Sequence, residues 1–445
     1  MEQELAEKKH YLSAFDQCAK ARRGSQARWL ESIRREAMDR FSELGFPTIR
    51  DEEWRFTNLA SLRKIPFLPS PPEFDGATRE RIASAISESP QGHRLVFING
   101  HYCPELSAAA SSGKGVRAGS LKEVLGNDPE SLRPHLARYA AHRDHAVMAL
   151  NTAFMEDGGF LYIPEGLVLK EPIVLLFVST AGKNPTMSFP RNLIVADRSS
   201  EANILEWYTA LDSEVYFTNS VSEIVAGENS VLRHYKLQQE SLGAFHIGTV
   251  QAHLSSNSSF LSCSIALGGA LVRNEINGVL DGEGIECVLN GLYMIAGRQH
   301  VDNHTRIDHV RPRCNSRELY KGILDGHARG VFNGKIYVHK DAQKTDARQT
   351  NKNLLLSPDA LIDTKPQLEI HADDVKCSHG STIGQLDQDS LFYLRSRGIG
   401  LEDARRLLTY AFASDIIGGV QIESVRCRLD RLLVSRLGEQ SQDSL

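Results

Sequence analysis

Residues 269–297 read GALVRNEINGVLDGEGIECVLNGLYMIAG. Short apolar runs lie between turn glycines at Gly269, Gly282 and Gly297, spaced 13 and 15 residues apart. Each interval has room for one short strand and one corner. The punctuation continues outward, through Asp197, Gly227 and Asn257 upstream and Pro312, Gly326, Asp341, Pro358 and Ala372 downstream. The later intervals are about 13 to 17 residues, and the first two are about twice that. The runs between them are β-branched and apolar, as in Val174-Leu175-Leu176-Phe177-Val178, Asn192-Leu193-Ile194-Val195 and Ile336-Tyr337-Val338. A steady turn interval in a degenerate sequence predicts a solenoid. Each coil then buries a stripe on the next, so inward positions should be apolar and corners should favour Gly, Asn and Asp. No long helical pattern interrupts about 240 residues, which argues against a βαβ fold and for a β-helix or a large sandwich. Polar corners such as Ser255-Ser256-Asn257-Ser258-Ser259 suit either.

Both flanks read as helical. Before the repeats, Leu30, Ile33, Ala37, Phe41 and Leu44 share one helix face, with Ser25 as N-cap and Gly45-Phe46-Pro47 as the stop. A Pro/Ser-rich stretch, Pro66 to Pro72, reads as a linker. After the repeats, Leu401, Ala404, Leu408, Ala411 and Phe412 form an amphipathic face, with Glu402 and Asp403 at the positive end of the helix. Gly418-Gly419 breaks that pattern. A second helix carries Ile422, Val425, Leu429, Leu432, Leu433 and Leu437, and residues from Gly438 onward read as frayed. The expected organisation is therefore an N-terminal helical domain and linker over 1–75, a mixed α/β connecting region over 76–145, the β core over 146–386 and a C-terminal helical domain over 387–445. The plain role for that last domain is a cap on the final coil.

Composition excludes several function classes. The 445 residues are 41% hydrophobic and 24% charged, enough to bury a core and too ordinary for a disordered or fibrous chain. A net charge of −5 gives no footprint for nucleic acid or a membrane surface. No run of about 18 apolar residues predicts a transmembrane helix. Glu2, Glu4, Glu7, Lys8 and Lys9 precede any apolar run, unlike a signal or transit peptide. The expectation is a cytoplasmic chain whose seven cysteines are reduced thiols. The sequence has no phosphate loop, because Gly334-Lys335 is followed by Ile336. It also has no H-E-x-x-H, C-x-x-C or G-x-S-x-G, so nucleotide hydrolysis, zinc proteolysis, dithiol exchange and nucleophile-elbow chemistry all lack support.

One segment near the end of the repeats carries ligand chemistry: Ala372-Asp373-Asp374-Val375-Lys376-Cys377-Ser378-His379-Gly380-Ser381-Thr382. On a strand, Cys377 and His379 fall on one side, where a thiolate and an imidazole can share a soft or borderline metal. Two ligands do not complete a site, so spacing alone reads the pair as a half-buried thiol beside a solvated histidine. Asp373 and Asp374 read as a turn. Cys263 and Cys287 read as core, Cys18 and Cys427 as helix packing, and Cys314 as a turn residue open to exposure. His300, His304 and His309 do not share one strand face and read as satisfied or solvated. The acidic residues of the coils invite comparison with a sugar-cleaving dyad, but they read first as a solvated face.

The downstream motifs resemble the SufB/SufD family of iron–sulfur assembly proteins. These are Tyr320-Lys321-Gly322-Ile323-Leu324, Gly330-Val331-Phe332-Asn333-Gly334-Lys335 and Asp341-Ala342-Gln343-Lys344-Thr345-Asp346-Ala347. Asn353-Leu354-Leu355-Leu356-Ser357, Thr364-Lys365-Pro366 and Leu391-Phe392-Tyr393-Leu394-Arg395-Ser396-Arg397-Gly398 join them, with Glu53-Trp54-Arg55-Phe56-Thr57 near the N-terminus. The SufB branch carries a cysteine important for cluster building where this chain has Ala360, and a Glu-His-Glu-Ala-Thr stretch where it has Cys377-Ser378-His379-Gly380-Ser381-Thr382. The Cys-Ser-His-Gly form resembles the SufD branch, with Ser381 in place of the usual alanine and Gly380 read as a final turn glycine.

The resemblance implies a mainly β fold, a right-handed parallel β-helix flanked by N-terminal and C-terminal α-helical domains. It implies a non-catalytic scaffold in a complex of one SufB, two SufC ATPases and one SufD, with SufB on the end of the β-helix and SufC on the C-terminal domain. A cysteine desulfurase system would supply sulfur indirectly. His379, with Cys377 as the weaker partner, would be a ligand for a nascent, transient iron–sulfur cluster shared with SufB, and no cofactor would be stably bound. Two alternatives stand beside this reading. One is a SufB-like homodimeric scaffold, the pairing open to the isolated chain, against which Ala360 speaks. The other is a carbohydrate-active β-helix enzyme, which lacks its export signal.

Overall fold

The computed structural model describes residues 2–22, 27–71, 76–86, 89–90, 92–108, 115–180 and 182–439. Its centre is a β-solenoid of about eight turns, and the chain is mainly β with helices on both flanks. Each turn contributes one strand to each of two sheets. Glu201–Ala210, Val231–Gln239, Ser259–Ala266, Glu286–Ile295, Asn315–Leu324, Asp346–Leu355 and Lys376–Gly384 stack in parallel in a 10-stranded sheet. Tyr216–Ala226, Phe245–Leu254, Leu271–Leu280, His300–His309, Arg329–Val338 and Leu361–Ile370 alternate with them in an 11-stranded sheet. Leu271 pairs with His300, and His300 with Arg329. The turn interval read from the sequence is therefore half a coil. The two long early intervals are whole coils in which only one corner carries a turn signal.

The corners explain the residues that mark them. Ser199, Asn229 and Asn257 stack one coil apart with φ of 56°, 57° and 55°, and Gly297 and Gly326 do the same at the other corner with φ of 61° and 62°. This left-handed backbone is what Gly accepts freely and Asn tolerates.

The lumen between the sheets departs from the expected apolar filling. Its first coils are apolar, built on Leu161, Ile163, Leu175, Phe177, Ile194 and Ile204. Farther along, Glu206, His234, Lys236, Asn274, Glu318, Gln349 and Asn351 are buried. Glycines make room for the long ones: a Cβ on Gly248 would overlap Lys236 Nζ.

The helices pack on the flanks. Phe41, Phe67 and Phe154 join Phe217, Phe245, Ile247 and Leu271 on the outside of the 11-stranded sheet. Leu401–Ile417 and Glu423–Glu439 pack against Trp207, Tyr235, Ile265, Leu292, Met294 and Ile323 on the 10-stranded sheet. The second of these helices buries Val425, Leu429, Leu433 and Leu437, as its spacing predicts. In the first, the buried face is Ala404, Thr409, Ala413, Ile416 and Ile417, while Leu401 and Ala411 are exposed, because its contact is with the sheet flank and the neighbouring helix rather than a coil end. The C-terminal helices are thus a flank and not a cap. Within the stretch read as a linker, Leu68–Pro69 pairs in parallel with Thr186–Met187. Ser25, read as an N-cap, lies outside the described residues.

Candidate functional site at the open end of the solenoid

Leu361–Ile370 ends the 11-stranded sheet and Lys376–Gly384 ends the 10-stranded one. Each pairs on one side, with Arg329–Val338 and Asp346–Leu355, and has no strand on the other among the described residues. A free edge presents backbone donors and acceptors to any strand of matching register. Pro366 removes one donor from the first edge, which an edge position tolerates. Apolar side chains are uncovered there too: Leu361 is 59% exposed and Ile383 50%.

Alternation along Lys376–Gly384 turns Cys377, His379 and Ser381 toward the lumen. Cys377 is half-buried and packs against Ile336, Val338, Ala347 and Ala372. Ser381 Oγ donates across the lumen to Thr364 Oγ1 at 3.0 Å, so the serine joins the two sheets at the mouth. His379 lies between them, in register with Gln349, and is exposed. The structure brings Cys377 and His379 to one side, as expected, in unlike surroundings. Burial pushes the Cys377 thiol up, with Asp346 adding to it and the Ala347 backbone opposing, so at neutral pH it stays a thiol. Gly380 corrects its reading as a turn glycine: it sits inside the strand with open space around its Cβ position. Among the described residues, no three His, Cys, Asp or Glu side chains are grouped to hold a metal ion.

The remaining candidates fall elsewhere. His300 Nε2 lies 2.8 Å from Thr57 Oγ1, His304 Nε2 3.0 Å from Asp302 Oδ1, and His309 Nε2 2.9 Å from Ser316 Oγ, so each ring is held by its own neighbours, although His309 Nδ1 is buried without a partner among the described residues. Cys263 and Cys287 are buried. Cys314 is buried rather than exposed, with Sγ 3.0 Å from Gly282 O, and Cys427 is exposed rather than packed. The motif Glu53-Trp54-Arg55-Phe56-Thr57 anchors the N-terminal segment to the outside of the 11-stranded sheet. Arg273 lies 3.8 Å from the centre of the Trp54 ring and donates to Glu53 O, and Thr57 Oγ1 donates to Asp302 Oδ2 at 2.6 Å. Burial alone would raise the Asp302 carboxyl, but His304 and Arg273 outweigh it and hold it well below the usual range.

Sequence reasoning missed the charged lumen. Glu206, Glu240 and Glu318 are buried inside it rather than solvated, and Glu223 is buried on the outer face. His234 Nε2 lies 3.1 Å from Glu206, His246 Nδ1 2.7 Å from Glu240, and Lys236 Nζ 2.8 Å from Asn274 Oδ1. Burial brings Lys236 down to about 8 against the pull of Glu206 and Glu240. The available signal was parity: Glu318 and Tyr320 stand at the strand positions that turn inward.

Comparison with known proteins places these features in a family. A model described as "SUF system FeS cluster assembly, SufBD core domain" matches residues 177–412, and one for the SufBD protein N-terminal region matches 5–175. An iron–sulfur cluster assembly SufBD family protein of Synechocystis is 36% identical over 426 residues, 93% of this chain and 92% of that protein. The iron–sulfur cluster assembly protein SufD of Escherichia coli is 32% identical over 397 residues, 89% of each chain. SufD of Bacillus subtilis is 25% identical over 436 residues, 96% of this chain and 97% of that one.

Proposed function

The chain belongs to the SufBD family of iron–sulfur cluster assembly proteins, and from that premise we propose that it is the SufD-type scaffold of a SUF complex. In this reading it pairs with SufB through the open end of the solenoid and carries the SufC ATPase on its C-terminal helices. The observation that carries the proposal is the pair of unpartnered edge strands with their exposed apolar side chains. A second solenoid can extend both sheets there by backbone pairing, burying Leu361 and Ile383 as it does so.

His379 is then a ligand offered at the joint, and Cys377 a weaker one, because its thiol is half-buried and protonated. A nascent cluster is the cargo of this site, with SufB supplying the missing ligands and a cysteine desulfurase system feeding sulfur indirectly. The chain itself catalyses no step. The platform for SufC is supported by the motif at Leu391–Gly398, where Phe392 is 75% and Tyr393 57% exposed. These rings face away from the helices' own contact with the sheet. A cytoplasmic location belongs to the same reading, and the seven free cysteines support it.

The test is co-purification from cells expressing SufB and SufC partners of the native host, with iron and labile sulfide measured. The expected result is a stable complex in which His379→Ala lowers cluster content while the subunits stay together. A complex that forms without this chain's last coil, or that assembles clusters unchanged with His379→Ala, would overturn the interface or the ligand role respectively.

A further inference from the structure

The inward row that reaches His379 runs through Leu289, Glu318, Gln349 and His379 on four successive strands in register. Gln349 Nε2 donates to Glu318 Oε2 at 2.7 Å. The opposite wall is bare to allow this, since a Cβ on Gly334 would overlap the Gln349 amide nitrogen. Glu318, Gln349 and Tyr320 are each at least nine-tenths buried. Yet Glu318 Oε1, Gln349 Oε1 and the Tyr320 hydroxyl have no hydrogen-bond partner among the described residues. The groups facing Glu318 are the Thr305 hydroxyl from the opposite sheet, the Gln349 amide above, the Cys287 thiol and the Tyr320 hydroxyl, none of them charged. Burial raises the Glu318 carboxyl to about 7, against the nearby Thr305 hydroxyl and the hydrogen bond from Gln349. Buried polar atoms that find no protein partner are satisfied by ordered water. Three such atoms, clustered one and two strands below an open mouth, mark a place for it.

We propose that Glu318, Gln349 and Tyr320 hold a file of ordered water in the last coils, and that this file carries protons between the Glu318 carboxyl and the open end at His379. The role of the path rests on the reading of that end as a cluster-forming site. When a metal ion takes the place of a proton on a thiol or imidazole, the ligand–hydrogen bond breaks, a ligand–metal bond forms, and a proton must leave. The Glu318 carboxylate accepts it through the water file and becomes a carboxylic acid; release of the metal runs the same transfer backward. No oxidant or reductant takes part. Glu318 is a proton store and Gln349 a positioning residue, and neither touches the metal.

The experiment is infrared difference spectroscopy on the intact chain, without partners or iron, in H2O and after transfer to D2O. The expected result is a protonated-carboxyl band that is present at about pH 5, lost by about pH 8 and missing from Glu318→Gln. The band should shift on transfer to D2O under conditions where the fold stays intact. Gln349→Leu interrupts the path while leaving Glu318 in place, so it should keep the band but slow its exchange by an order of magnitude. Three results would overturn the proposal: no titrating band, a band that exchanges only as the protein unfolds, or exchange in Gln349→Leu as fast as in the parent. None of these readouts involves SufB or a cluster. The path can therefore fail while the interface reading stands, and unchanged cluster assembly in His379→Ala would remove the ligand role without touching the path.

Discussion

The two ends of the solenoid are built to opposite plans. At the first end, His101–Tyr102 turns back antiparallel on His93–Ile98, and Arg117–Ser120 does the same on Gly159–Ile163. Those short strands cover the edges, and the first coils are almost wholly buried. Their lumen is mostly apolar, with Phe97 stacked on Phe177 at 4.9 Å and Phe177 on Tyr208 at 4.7 Å. At the last end no strand turns back among the described residues, side chains are exposed along both edge strands, and the lumen carries buried polar side chains such as Glu318, Gln349 and Asn351. A chain that covers one edge with two short strands has the means to cover the other. The uncovered edge is the surface that the proposed pairing would use, since a free edge offers its backbone groups to a further strand.

The contrast is sharpest in what each end loses on substitution. At the covered end, Phe177→Ala removes the middle ring of a buried stack and should destabilise the chain by about 3–5 kcal/mol. Chemical denaturation checks this; a loss below 1 kcal/mol would mean the first coils are not the tight core described above. Near the open end the lumen holds an unneutralised carboxyl instead. Burial raises Glu318 from its ordinary 4.5 to about 7, so the folded state binds its proton more tightly than the unfolded state does. That contribution is fully present below pH 4.5 and is lost as pH rises through 7. Glu318→Gln should therefore leave stability unchanged at about pH 4.5 and raise it by about 3 kcal/mol at pH 8. Melting curves at the two values decide it, and an equal shift at both would show that the carboxyl is not titrating in place.

A smaller effect tests how the lumen makes room. Gly334→Ala places a methyl where the Gln349 amide lies and should cost about 1–3 kcal/mol. Gln349→Ala in the same chain should recover most of that loss, because the two positions share one volume. Additive losses in the double variant would separate them.

The sequence announced the repeat and the flanking helices because turns and apolar periodicity are local signals. Gly269, Gly297 and Gly326 mark corners by a backbone angle that needs no knowledge of neighbours. The pairing of Cys377 with His379 was legible for the same reason, since alternation along a strand is local. The filling of the lumen was not. Glu318 and Glu206, like the other acidic residues of the coils, read as solvated charges until the register stacks them inside, and that register is set by contacts about 30 residues apart. Ser381 looked like an idle replacement for alanine, whereas its hydroxyl reaches Thr364 on the other sheet. The place of the C-terminal helices was equally hidden: amphipathic spacing says that a face is buried, not against what.

The gentlest substitutions belong at the open end, and they separate stability from assembly. Leu361→Lys and Ile383→Lys change side chains that are already more than half or half exposed, on strands paired on one side. Removing an exposed apolar group withdraws almost no area from the chain's own core, so each should alter its stability by less than about 0.5 kcal/mol. A lysine on a free edge is also one of the devices by which proteins discourage strand addition, because pairing would force the charge out of water. If the edge exists to receive SufB, the double variant should melt like the parent and yet fail to co-elute with SufB in size-exclusion chromatography. If it exists only as an unfinished end, the double variant should bind as well as the parent, and the difference between the two ends would then have to be explained without a partner. The covered end admits no such separation, because any lysine placed at Phe177 would unfold the coil before it could report on binding.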